Sequence, residues 1–137
     1  MDANQLIEFQ LKQCGSQLRK VLEDWPVLAA DANVETAMSA RESVNHLTEC
    51  YEAVLKKAKG EAHEWGTFQM DTSNFGAAVA KMFDHRAKAI SMLGGMSDGL
   101  ETATMFIVMH DPYHVGQLCT LRAKVQPDWN PYSIYED

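Results

Sequence analysis

His110 and His114 close the run His110-Asp111-Pro112-Tyr113-His114, and on a helix that spacing sets two side chains on one face with Cβ atoms about 5–6 Å apart. Two imidazoles so placed can chelate one divalent ion. A pair is an incomplete site. His46 is the natural third donor, because it stands within a second apolar stripe of Val44, Leu47 and Tyr51. Three neutral nitrogens leave one or more coordination positions for water or substrate, the pattern of catalytic rather than closed structural sites. Imidazole suits zinc, nickel, copper or iron, so ligand type does not choose the metal. The spacing alone is a weak signal, since packed or surface histidines also show it.

Other residues carry less. Glu49, one turn after His46, reads first as an exposed helix carboxylate and second as a hydrogen-bond acceptor beside the ion. Cys50 shares the His46 face at four residues' spacing, yet a buried cysteine usually packs as a small hydrophobe. His63 and His85 lie outside both motifs and read as surface or structural groups. Gln117 is expected to bond between helices or behind a ligand, and Tyr113 to line the site or pack in the core. Pro112, between the two histidines, removes an amide donor and crowds the carbonyl of Val108, which predicts a kink. No Asp, Glu or His motif accompanies the three histidines as a general base.

These residues need helices to hold them. Leu6, Phe9, Leu11, Leu18, Val21, Leu22 and Trp25 recur at helical spacing and predict a first helix over 5–25, ended by Pro26. Ser39 and Glu42 have capping-box form, so a second helix is expected from there to about residue 59, with Gly60 as its stop. Residues 61–74 show no sustained period and read as a link long enough to cross a helix length. A third helix is predicted over 75–93, ended by Gly94-Gly95. A fourth runs from Asp98, as its cap, through Val125, with Glu101 in its first turn. The short turn 94–99 makes helices three and four antiparallel neighbours. The aromatic, proline-punctuated tail 129–135 is expected to pack back on the helices. The eight methionines read as core filling.

The segment from His110 through Gly116-Gln117 to Leu121-Arg122 resembles the C-terminal signature of the DinB-like superfamily, in which two histidines four apart are followed by Gly-Gln and an apolar-Leu-Arg ending. The segment from Ser39 to His46-Leu47 is similar to the family's helix-two signature. The organisation matches over nearly the whole chain, the motifs over about 25 residues. The resemblance implies an all-α, DinB-like four-helix bundle with a long crossover between helices 2 and 3. It also implies His46, His110 and His114 as ligands of one divalent metal ion, zinc or nickel first, and a homodimer. Relatives of this kind include metal-dependent transferases that use low-molecular-weight thiols such as mycothiol or bacillithiol, and hydrolases. The alternative is a non-catalytic bundle that the metal stabilises, serving as a stress-linked binding or dimerisation module.

Bulk properties set the frame. The 137 residues, 46% hydrophobic, suit one domain over 1–137 with one core. A formal charge of −7 disfavours nucleic acid and anionic membranes, whose binding needs a basic patch. The three cysteines form no CxxC pair, which fits reduced thiols and a cytoplasmic setting. No apolar stretch reaches the roughly 20 residues of a membrane span, and the N-terminus lacks the basic-then-apolar pattern of a secretion signal.

Overall fold

Each long helix begins where a side chain satisfies the amides that a helix start leaves free. Asp2 and Gln5 form a reciprocal capping box that opens α1 (Ala3–Leu22), and Ser39 and Glu42 do the same for α2 (Ala40–Ala58). The Asn74 side chain accepts from the Ala77 amide at the head of α3 (Phe75–Leu93). The computed structural model describes residues 1–136, and every regular element among them is helical. The predicted bounds of α2 and α3 hold to within a residue. Gly60 stops α2 with a φ of 74°, the left-handed conformation that glycine adopts freely.

α1 is shorter than expected. It ends at Leu22, and Asp24 takes a φ of 53°, so Trp25 lies in the turn beyond the helix, where it is still buried. The buried face of α1 runs Leu11, Cys14, Gly15, Leu18, Val21 and Leu22. Leu6 and Phe9, read as core, fall off that face and are exposed.

The link 61–74 lies back along α2. The Gly66 amide donates to Glu49 at 2.7 Å, Asn45 exchanges hydrogen bonds with Phe68 and Met70 at 3.2 and 3.0 Å, and Arg41 donates to the Thr72 carbonyl. The chain therefore returns to the start of α2 before α3 begins. His85 then meets Glu52 at 3.4 Å, so α3 runs in the same direction as α2. This is the expected crossover.

The fourth helical arm, expected as one helix kinked at Pro112, is instead broken there into separate segments. α4 (Gly99–Ala103) passes into a π-helical turn (Thr104–Val108), and α5 (Asp111–Val125) starts afresh. Pro112 has no amide to donate and is suited to the first turn of a helix, so α5 begins around it. Upstream the spacing widens, with the Met109 amide donating five residues back to Thr104 at 2.9 Å. Asp98 makes no capping hydrogen bond; its carboxylate pairs instead with Lys57 at 3.0 Å. Lys57 also donates to Thr102, and Tyr51 to Asp111, so the arm runs opposite to α2. It runs alongside α1, since Cys14 meets Asp111 and the Val21 carbonyl accepts from Arg122.

One core joins all four arms through Leu18, Val44, Leu47, Met82, Ile107 and Leu118. The tail packs back as expected, but through a single 3-10 turn (Pro131–Tyr135) that buries Ile134. The methionines depart from the core reading. Met70 and Met82 are buried, whereas Met1, Met38, Met92, Met105 and Met109 are exposed. Among the described residues no helix is long and apolar enough to cross a membrane.

Candidate metal centre

His46 projects from α2 and His114 from the first turns of α5, while His110 occupies the cap position just before α5. Their Nε2 atoms converge. His110 Nε2 stands 3.2 Å from that of His46 and 3.1 Å from that of His114, and all three candidate ligand atoms lie within 4.8 Å of one another. The structure thus brings together all three histidines singled out in the sequence. Burial lowers the pKa of each, to about 4 for His110 and about 3 for His114, with the neighbouring imidazoles adding to the effect; Glu49 opposes it at His46. The rings are neutral near pH 7, as ligands must be.

Neutral rings cannot satisfy this arrangement by themselves. A neutral imidazole nitrogen is either a donor or an acceptor, so His110 Nε2 cannot serve both neighbours in opposite senses. A cation is approached by three lone pairs at once. Zinc–nitrogen bonds of about 2.0–2.1 Å at tetrahedral angles place the nitrogens about 3.3 Å apart, close to the two short separations here.

A second network positions α5. Asp111, fully buried between the histidines in sequence, accepts from Arg86 Nε at 2.9 Å and from the Tyr51 hydroxyl at 2.6 Å. Arg86 also donates to the Leu11 carbonyl at 2.8 Å. Burial acts most strongly against the Arg86 charge, but Asp111, Tyr51 and Cys14 together raise its pKa, and burial together with Asp111 pushes Tyr51 well above its ordinary range. The guanidinium lies against Gly15, where a Cβ would come 2.5 Å from Arg86 Nη1. Gly15→Ala is therefore expected to cost about 1–3 kcal/mol by displacing Arg86, read as a lower midpoint in urea with an unchanged slope. A wild-type midpoint would show that Arg86 has room to move.

Sequence reasoning passed over Asp111 and Arg86, although Arg86 stands on the apolar stripe of Met82, Ala89 and Leu93. It also misread Glu49, which is 5% exposed and not a solvated carboxylate. The returning link covers it, supplying the Gly66 amide and His63 Nε2 at 3.2 Å, and these hold its carboxyl below the usual range despite burial. His63 is thus a buried structural group, with Trp65 edge-on to its ring. His85 is paired with Glu52. Tyr113 is exposed and does not pack in the core; its ring meets His114 edge-on, and its hydroxyl accepts from Gln117 within the same helix. Cys50 is buried, as expected of a small hydrophobe, but its sulfur lies 3.8 Å from His110 Nε2 and 4.0 Å from His46 Nε2. Burial pushes its thiol up to about 12.

No family model, curated protein or solved structure matches the chain. What the centre can do rests on its own atoms.

The histidines also set a pH dependence. Their folded pKa values lie below the ordinary 6.5, so between about 4 and 6.5 the unfolded chain binds more protons than the fold. Stability of the metal-free protein should therefore be full above that window and fall as pH drops through it. Melting of chelated protein across this range checks the sign. The fall should be shallower in His114→Gln, and an equal slope in both proteins would remove His114 as a cause.

Proposed function

We propose that this chain is a DinB-like, metal-dependent protein in which His46, His110 and His114 bind one divalent ion, zinc or nickel, for chemistry of the thiol-transfer or hydrolase type. The observation that carries the reading is the mutual approach of three neutral imidazoles, His114 buried and His46 and His110 half-buried, from α2 and the start of α5. The crossover, which sends α2 and α3 in one direction and α1 and α5 in the other, supports the DinB-like part. A bound ion would lower the pKa of a coordinated thiol or water and so supply a nucleophile near neutral pH. The chain's own part is to hold three donors in place, with Asp111 tied to Arg86 and Tyr51 as their anchor. The partners in this reading are a low-molecular-weight thiol and a second copy of the chain as a homodimer.

A second reading rests on the same ligands joining α2 to α5, which makes the ion a clamp. In that case the protein is a metal-stabilised, non-catalytic module. Untagged protein should carry about one ion per chain, and loaded protein should conjugate a low-molecular-weight thiol to an electrophile, or hydrolyse an activated ester, faster than chelated protein. Full metal content with no turnover favours the clamp. Absence of any bound or bindable metal sinks both readings.

A further inference from the structure

Resting on the three-histidine reading, we propose that Cys50 is a fourth protein ligand of the same ion, and that the centre therefore selects a thiophilic cation of the zinc class. Cys50 follows His46 by one helical turn, so both side chains leave α2 on the same face. Its sulfur bridges the two elements of the site, 4.0 Å from His46 Nε2 on its own helix and 3.8 Å from His110 Nε2 across the gap. These two nitrogens are the polar partners of that sulfur among the described residues. The other cysteines are placed differently, with Cys14 against Arg86 and Asp111 and Cys119 half-buried along α5.

The distances suit ligation. With zinc–sulfur bonds near 2.3 Å and zinc–nitrogen bonds near 2.0–2.1 Å, a tetrahedral ion sets sulfur about 3.6 Å from each nitrogen; the separations from His110 and His46 are 3.8 and 4.0 Å, while Cys50 stands outside the close group that the three histidines form. Ligation therefore requires the Cys50 sulfur to turn toward His114 as well. Ligation breaks the S–H bond, forms the sulfur–metal bond and releases the proton to buffer. Three imidazoles and a thiolate then complete four-coordination, and soft sulfur favours zinc over harder ions such as magnesium or manganese. An incoming thiol or water must enter as a fifth ligand or displace Cys50.

Cobalt(II), a spectroscopic stand-in for zinc, tests this with untagged metal-free protein. Wild type should bind about one ion and show an intense near-ultraviolet thiolate-to-cobalt band beside the visible ligand-field bands. Cys50→Ser and Cys50→Ala should keep the visible bands, lose the near-ultraviolet band and bind cobalt about tenfold or more weakly, while Cys119→Ser should match wild type. Visible bands in wild type without the thiolate band overturn Cys50 ligation and leave the three-histidine site standing, and reading them needs no variant to fold. A thiolate band that persists in a folded Cys50 variant overturns it equally. Failure of wild type to bind cobalt at all overturns both this proposal and the reading beneath it.

Discussion

The double variant His110→Ala, His114→Ala is expected to be purified without metal and to melt at the same temperature with or without added zinc or nickel. Wild type should instead gain stability on loading. A ligand at a thousand times its dissociation constant contributes about 4 kcal/mol, which for a chain of this length raises the melting temperature by roughly 10 °C. The two substitutions remove two of the three converging nitrogens and leave His46 with the neighbouring Cys50 thiol, too few to hold an ion tightly. The variant should still fold, because the two rings meet each other edge-on and the shared apolar core of the four arms is left unchanged. Metal analysis and melting curves settle the matter together: metal retained by the variant, or a loading shift equal to that of wild type, would place the binding elsewhere.

Asp111→Ala should be the most damaging single substitution. It leaves the Arg86 guanidinium buried beside Gly15 with no countercharge and strips the Tyr51 hydroxyl of its acceptor. Breaking a buried pair from one side costs about 3–5 kcal/mol, enough to lower the melting temperature by roughly 10 °C. Metal affinity should fall as well, because the lost anchor lies between His110 and His114. Replacing both charges with apolar residues, Arg86→Met with Asp111→Leu, should recover much of the stability, since no lone charge is then buried. A single variant as stable as wild type in denaturant would mean that water reaches Arg86.

Much of this was legible in the chain, for local reasons. The start of α2 is written in Ser39 and Glu42, its end in Gly60, and the end of α3 in the glycines after Leu93, all of which act over a turn or less. The three converging histidines were legible through spacing and resemblance. The anchor was not, because Arg86 and Asp111 are 25 residues apart and only the packed fold joins them. A charge on the Met82–Ala89–Leu93 stripe, at Arg86, was the available signal. Glu49 was hidden for a related reason: its burial comes from the link 61–74, whose path no periodicity encodes. Leu6 and Phe9 share the helical spacing of the α1 stripe but fall off the face of Leu11, Cys14 and Leu18 that meets the other helices.

The π-helical turn before His110 has a further consequence. A turn that closes five residues back holds one residue more than an α-helix would place there, and each residue of an α-helix turns the chain by about 100°. Without that extra residue, α4 and α5 would keep their own hydrogen bonds, but the face carrying His110 and His114 would be swung by about a quarter turn relative to Thr102 and Ala103. The alignment of the two histidines with His46 thus depends on the length of the chain between Ala103 and His110 as much as on its side chains. Deleting one residue from Thr104–Val108 should yield a straighter, well-formed helix whose two histidines point past the third.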